Sequence, residues 1–432
     1  MIPEIDALMH EQVNAGEPGA AVAVIEAGAV THRRGYGLAN IEWRIPIAPD
    51  TVFRLASITK QFTATAIMML QAAGKLSLDD PLTKFLPAYP TSGHDIFVHH
   101  LLTHTSGIKS YTSIEGWFPN RIIHDMTPQA LCDAFSQIPF DFKPGARFLY
   151  NNSGYHLLGM IIEQVSGVSY AEFIQENIFR PLGMNHSYYM SNEPIIPKRA
   201  SGYGRTEQGF RNAAYLSMTQ PYAAGSLGST VDDLVLWADA VRQHRLVSSA
   251  AQARMFTPVS LADGQTEQYG FGWGMSNYRG HHFVQHGGGI NGFSTFIAQF
   301  LAEPVTIIVL ANREDLDTGG LTLKIARHLL GLPAIVRKPI TLTPAAKARV
   351  EGKYLVDHQW PLEIVHEDDD LYLKTEKAEK LLPLSENTFY LEADPETELH
   401  FAEDKDGKFQ QLTRIHPLFP FTAHREHDEQ TH

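Results

Sequence analysis

The sequence predicts an α+β fold: one antiparallel sheet built from both ends of a long N-terminal segment and covered by helices, then a small all-β module. Three observations predict it. Strand-like runs lie at 19–36 and again at 269–311, with helical patterns between them. A serine and a lysine three residues apart open an apolar helix near residue 57. After Pro333 the composition changes to short strand-like runs separated by turns.

In chain order, residues 4–15 read as a short helix. Gly19 to Glu26 is a small-residue apolar run that turns at Ala27-Gly28 into Val30 to Tyr36, which is a hairpin. From Ser57 to about residue 250 the pattern is mostly helical, with loops rich in proline and glycine. Strand signals return at Tyr269 to Met275, Phe283 to His286, Phe293 to Leu301 and Val305 to Ala311, and a helix follows over Leu321 to Leu330. Pro339 to Pro344 reads as a linker. Beyond Val350, strand-like runs at Pro361 to His366, Leu371 to Lys374, Lys380 to Leu384, Thr388 to Glu392, Glu398 to Ala402 and Phe409 to Ile415 predict a barrel. Turns such as Asp404-Lys405-Asp406-Gly407 divide them, and the polar chain after Thr422 reads as a frayed tail. The expected domains are residues 1–335 and 345–432.

A chain of 432 residues can bury a large core, and 44% hydrophobic with 19% charged residues is ordinary globular composition. The net charge of −13 argues against a nucleic-acid partner, which requires a basic surface. No run of about 18 apolar residues exists to span a bilayer, so no membrane partner is expected. Met1-Ile2-Pro3-Glu4-Ile5-Asp6 has neither a basic n-region nor an apolar h-region; cytoplasmic residence is expected, or periplasmic or secreted residence where a leader has been removed. The single cysteine, Cys132, excludes an intrachain disulfide.

The chemistry centres on Ser57-Ile58-Thr59-Lys60. A hydroxyl is a poor nucleophile near neutral pH, so a serine that attacks carbonyls needs a base beside it. Residues i and i+3 share a helix face, and burial lowers a lysine pKa toward a useful base. Apolar residues from Ile58 through Phe62 to Leu70 continue a largely buried helix that ends near Gly74, which sets Ser57 at its N-terminus, where unpaired N–H groups suit a developing oxyanion. A second Ser-x-x-Lys, Ser106 to Lys109, lacks apolar periodicity after it and carries Gly107 inside it; Ser106 reads as a turn residue.

Acyl transfer also needs a proton donor for the leaving group. Tyr150-Asn151-Asn152 offers a tyrosine that could shuttle a proton if neighbouring cations lower its pKa, and an asparagine able to orient Lys60 and a substrate amide. Further on, His286-Gly287-Gly288-Gly289 places a histidine at an expected strand end before three glycines, which let a substrate approach the backbone.

With these boxes in order, the sequence resembles the serine β-lactamase-related hydrolases, a group that includes class C β-lactamases, D-alanyl-D-alanine carboxypeptidases, D-aminopeptidases and β-lactamase-like esterases. Ser57 to Lys60 matches the first box, Tyr150 to Asn152 the second, and His286-Gly287-Gly288 stands where the family has Lys-Thr-Gly or a His-x-Gly variant. Leu101 to Gly107 and Ala224 to Thr230 are also typical, and the similarity covers roughly residues 5–332. The resemblance implies a helix–antiparallel sheet–helix sandwich with a helical subdomain and the site between them; the module that follows, outside the resemblance, is expected to be a small lipocalin-like C-terminal barrel. It implies that Ser57 is acylated, that Lys60 and Tyr150 activate it and protonate the leaving group, and that Asn152, His286, Gly288 and Gly289 bind substrate. The N–H groups of Ser57 and Gly289 would form the oxyanion hole.

His286 in place of the third-box lysine implies weaker recognition of a substrate carboxylate. The resulting order is a D-aminopeptidase-like amidase first, an esterase second, and weak or absent β-lactamase activity, on a small-molecule or short-peptide substrate and with no cofactor. The non-enzymatic alternative is a binding or scaffolding protein on the same fold, and self-association through the barrel is a further alternative. His100 and His104 are i, i+4, but without an acidic ligand or a His-Glu-x-x-His pattern no metal site is expected from them, nor from His424 and His427. Gly-x-Ser-x-Gly and phosphate-binding glycine motifs are absent.

Overall fold

The computed structural model describes residues 2–356, 360–375, 377–405 and 407–426. The chain divides into two compact units, Met1–Leu330 and Gly331–His432.

The first unit is organised by a six-stranded antiparallel sheet. Its strands are β1 (Ala20–Glu26), β2 (Ala29–Tyr36), β3 (Gly274–Tyr278), β4 (His281–Ile290), β5 (Phe293–Phe300) and β6 (Val305–Ala311), in the spatial order β3-β4-β5-β6-β1-β2. The two chain ends meet where Ala20 pairs with Ala311 and Glu26 with Val305. β1 is apolar in nearly every position because both of its faces are covered. Helices α1 (Ile2–Gln12) and α5 (Thr318–Leu329) pack together, with α5 against β5 and β6. Helix α4 (Val231–Arg242) packs on β1 and β6, and α2 (Thr59–Ala72) packs against α3 (Asn152–Ser166).

Helix α2 is buried along almost its whole length, and hydrogen bonds tie Thr63 and Gln61 to neighbouring elements. Thr63 donates to Ala223 O at 2.6 Å, and Trp237 Nε1 donates to Gln61 Oε1 at 3.0 Å. Phe62 stacks on Trp237 with ring centroids 4.0 Å apart. Among the described residues no single helix is long and apolar enough to cross a membrane.

The structure corrects several element boundaries. Ser57 lies inside a 3-10 turn, Ala56–Ile58, that leads into α2, and is not the helix's first residue. The expected strand at Tyr269 to Met275 begins only at Gly274. The residues before it fold as a turn pressed on neighbouring backbone: a Cβ on Gly272 (φ +76°) would lie 2.6 Å from Lys60 O, and one on Gly270 2.0 Å from Met255 O. His286 does not end its strand, since β4 continues through all three glycines, pairing Gly287 with Phe296 and Gly289 with Ser294.

In the second unit, helix α6 (Pro344–Val350) starts at the last proline of the expected linker, and Thr343 Oγ1 caps it by accepting from Ala346 N at 3.2 Å. The strands are β7 (Gly352–Val356), β8 (Trp360–Glu367), β9 (Asp370–Lys374), β10 (Ala378–Pro383), β11 (Thr388–Leu391), β12 (Asp394–Glu403), β13 (Phe409–Ile415) and β14 (Phe421–Arg425). Each pairs antiparallel with the next, and β14 returns to β7 through Tyr354–Arg425 and Val356–Ala423 to close the barrel. The six expected runs are all strands. β7 and β14 were not expected, and β14 carries the chain past Thr422, where a tail was predicted. Residues 427–432 and Asp406 lie outside the described residues. Tyr354, Leu362, Phe389, Leu399, Phe401 and Leu412 fill the interior.

Phe62 has no exposed surface, so Phe62→Ala should destabilise the first unit by about 3–5 kcal/mol, the usual range for a buried aromatic. Urea unfolding followed by tryptophan fluorescence measures it, and a loss under about 1 kcal/mol would mean that the Trp237 stack does not anchor α2.

Candidate active site

Ala56 adopts φ of +49°, a left-handed conformation that side chains seldom take. Backbone ties hold it there. Leu55 N donates to Leu227 O at 2.8 Å, and Thr295 Oγ1 donates to Leu55 O at 2.9 Å. The turn leaves Ser57 half-buried at the wall of a cavity while Ala56 and Ile58 on either side are in the core.

Lys60 follows within one helical turn and has no exposed surface. Its Nζ lies 3.1 Å from Ser57 Oγ, 2.8 Å from Asn152 Oδ1 and 2.9 Å from Ala224 O. Burial holds its pKa well below the ordinary lysine range. A neutral amine has two hydrogens and one lone pair. Asn152 Oδ1 and Ala224 O can only accept, so they take both hydrogens and leave the lone pair facing the Ser57 hydroxyl.

Tyr150 immediately precedes α3. The residue is 38% exposed, while its hydroxyl hydrogen-bonds Ser57 and Lys60 Nζ sits 4.7 Å from the ring centroid. The expectation that nearby cations lower its pKa does not hold. Burial raises it, and the Ser57 hydrogen bond opposes that only in part. Lysine and tyrosine are thus pushed apart in the direction that keeps the amine neutral and the phenol protonated, a pairing able to act as base and acid.

Asn152 is held at both ends of its amide: Oδ1 accepts from Lys60, and Nδ2 donates to Thr112 Oγ1 at 3.1 Å, which leaves one N–H toward the cavity it lines. The start of α3 is pinned by the loop before it. Asn151 caps the helix through Gly154 N at 2.9 Å, Ser153 Oγ accepts from Tyr111 N at 2.8 Å, and Ser110 Oγ accepts from Asn152 N at 3.2 Å.

The third box is built differently from expectation. His286 is 6% exposed. Its Nδ1 is 2.6 Å from Gly287 O, which only accepts, so Nδ1 carries the hydrogen and Nε2 accepts from the Tyr269 hydroxyl at 2.9 Å. Burial lowers its pKa to about 3, so the ring is neutral near pH 7. Both nitrogens are used inside the protein, and the imidazole supports the wall without offering the substrate hydrogen bond the sequence suggested. Gly288 is also taken up by packing, because a Cβ there would lie 2.2 Å from Leu55 O and 2.3 Å from Thr295 Oγ1. Gly289 has open space at its Cβ position and lines the cavity.

Sequence reasoning missed His104 and Tyr269. His104 Nδ1 accepts from Asn151 N at 3.0 Å, and its ring lies 4.4 Å from Tyr150 and 4.8 Å from Tyr269. The signal was the Leu101 to Gly107 stretch, in which His104 was weighed only as a partner of His100. His100 instead accepts from Phe97 N at 3.2 Å, and His99 sits 3.2 Å from Asp79. Of the second Ser-x-x-Lys, Lys109 pairs with Asp141 at 3.0 Å and Ser106 Oγ accepts from Ile108 N.

A family model described as Beta-lactamase matches residues 5–331. The chain belongs to the beta-lactamase family. It is 31% identical over 419 residues to a penicillin-binding protein of Bacillus subtilis, spanning 90% of this chain and 91% of that protein. It is also 31% identical over 306 residues to a D-aminopeptidase of Gluconobacter oxydans, spanning 68% of this chain and 56% of that protein. Among solved structures, an octameric penicillin-binding protein homologue from Pyrococcus abyssi superposes with a TM-score of 0.69 at 29% identity, covering 97% of this chain and 98% of that one. The fold is β-lactamase/transpeptidase-like, with a closed eight-stranded barrel at the C-terminus.

The Lys60 environment has a pH signature. Labelling of Ser57 by a fluorophosphonate should speed up as pH rises and Lys60 loses its proton. Because the pKa is lowered, the rise should be complete well below the roughly 10.4 of an ordinary lysine. Rate-against-pH profiles of the native chain and Lys60→Arg check this, and a rise that persists in the arginine variant would remove Lys60 from the step.

Proposed function

We propose that this family member is a serine hydrolase that forms an acyl-enzyme on Ser57 and acts as a D-aminopeptidase-like amidase. Ester hydrolysis ranks second, and β-lactamase activity is weak or absent. The observation that carries the reading is the Lys60 amine, buried without exposure and held within 3.1 Å of Ser57 Oγ, 2.8 Å of Asn152 Oδ1 and 2.9 Å of Ala224 O. In this reading Lys60 takes the hydroxyl proton as Ser57 Oγ attacks the carbonyl carbon. The N–H groups of Ser57 and Gly289 receive the oxyanion. Tyr150 gives its proton to the departing nitrogen or oxygen and regains one from the Lys60 ammonium. Water then repeats the sequence on the acyl-enzyme and frees Ser57.

Two observations support the ranking. The D-aminopeptidase of Gluconobacter oxydans is a relative at 31% identity. The neutral His286 has both nitrogens engaged, so the third-box position presents no fixed charge to a substrate carboxylate.

Lys60→Ala and Tyr150→Phe should each lower turnover by at least about a hundredfold, the usual scale of a lost general acid or base. The double variant should be little worse than either, since the two act on one proton path; multiplying losses would separate them. The substrate order is tested by comparing kcat/KM for a cephalosporin, an acyl ester and a D-aminoacyl amide. Efficient cephalosporin hydrolysis with the other two poor would sink the ranking.

A further inference from the structure

Residues 147–151 belong to neither helix nor strand, so the backbone around Tyr150 is only as fixed as the hydrogen bonds of its flanking peptides. Both lead to one residue. Leu149 N donates to His104 O at 3.0 Å, and Asn151 N donates to His104 Nδ1 at 3.0 Å. The main chain and the side chain of His104 thus hold the residues immediately before and after Tyr150. The imidazole also lies against the phenol ring between them, with centroids 4.4 Å apart, closer than His286 at 6.2 Å or Tyr269 at 6.3 Å.

The holder is itself held. His104 has φ of +60°, in the left-handed region that histidine, asparagine and aspartate enter more readily than other side chains. It lies two residues past the short helix Val98–Leu102, which packs on α3, and Asn151 Nδ2 donates to Ile108 O further along the same loop. A backbone N–H can only donate, so His104 Nδ1 carries the lone pair and the ring hydrogen is on Nε2. That N–H is buried without a partner among the described residues, with the rings of Tyr150, Tyr155 and Tyr269 around the imidazole. An unpaired N–H in the core is a cost that an apolar side chain would avoid, so packing alone does not call for a histidine here. What the imidazole adds over an apolar side chain is the acceptor at Nδ1.

We propose that His104 is a positioning residue for the proton donor: it holds the peptides on both sides of Tyr150 and so sets the line along which the phenol meets the leaving group. The proposal rests on the reading in which Tyr150 is that donor. There the carbon–nitrogen bond breaks with its electron pair on nitrogen and the phenol proton fills that pair. The Lys60 ammonium, holding the proton taken from Ser57, then restores the phenol. Fluoride leaves a fluorophosphonate without such a proton, so a misplaced Tyr150 slows amide cleavage and spares labelling.

The test uses the full chain and two rates: labelling of Ser57 by a fluorophosphonate, followed by mass spectrometry, and kcat/KM for D-phenylalaninamide, which reports acylation. His104→Leu removes the acceptor. It should lower kcat/KM by about a hundredfold, the scale on which a displaced catalytic group costs rate, and change labelling by less than about threefold. His104→Asn, whose Oδ1 lies as many bonds from Cα as Nδ1 and which tolerates the left-handed region, should stay within about fivefold of the native chain in both. Should the leucine chain not fold, His104→Gln, with its acceptor one bond farther out, takes its place with the same selective loss expected. Equal losses in both reactions, no loss of amide hydrolysis, or an asparagine variant as slow as the leucine one overturns the positioning role. A native chain that labels but leaves the amide intact overturns the amidase reading alone, and the comparison is then made on ethyl butyrate, whose ethoxide also needs a proton. With neither substrate cleaved, Tyr150 has no donor role and the proposal falls; failure to label Ser57 overturns the hydrolase reading and the positioning role with it.

Discussion

The burial of one amine organises this molecule's candidate chemistry. Lys60 cannot be kept inside the first unit unless its hydrogens find acceptors, and the two it finds come from distant parts of the chain, Asn152 at the start of α3 and Ala224 in the turn before α4. Each acceptor has to be held in turn. Ser110, Thr112 and Ser153 fix the start of α3, and Thr63 takes the carbonyl of Ala223 beside Ala224. Gly159 serves the same arrangement, because a Cβ there would lie 2.4 Å from the Tyr222 ring and would push this turn off the helices. The packing of α2 against α3 and the depressed basicity of Lys60 are therefore two aspects of one arrangement.

Local patterns in the sequence were enough to read the architecture and the central pair. The β1 hairpin, the strands β4 to β6 and the nucleophile helix are legible because their periods are regular and their flanks carry turn residues. Ser57 and Lys60 are legible because one helical turn forces them together. Three features were not. The Tyr269 to Trp273 segment reads as strand by composition, but Gly270 and Gly272 fit it against Met255 and Lys60, contacts no local window contains. β14 was hidden by its polar content, since only alternate residues of a barrel strand face the core. The engagement of His286 depends on Tyr269, which reaches it only because that segment leaves the sheet.

The same comparison separates what the third box does from what its position suggests. A lysine there would bring a charge toward the substrate. The histidine instead joins an aromatic group with Tyr269, Tyr150 and His104, in which burial disfavours charge on either imidazole. The cleft beside Ser57 is consequently shaped by apolar surface and hydrogen-bond direction more than by fixed charge.

The pairing of β1 with β6 bears on how the molecule is made. Ala20 and Ala311 are neighbours in the sheet, yet nearly the whole first unit separates them in the chain. During synthesis the hairpin of β1 and β2 emerges early, with the apolar edge that β6 will cover still unpaired, and the helical half follows before any partner strand exists. Long-range pairing of this kind is slow to form, and an uncovered apolar strand is a site for wrong association. Closure of the sheet around β1 therefore waits for residues beyond 305.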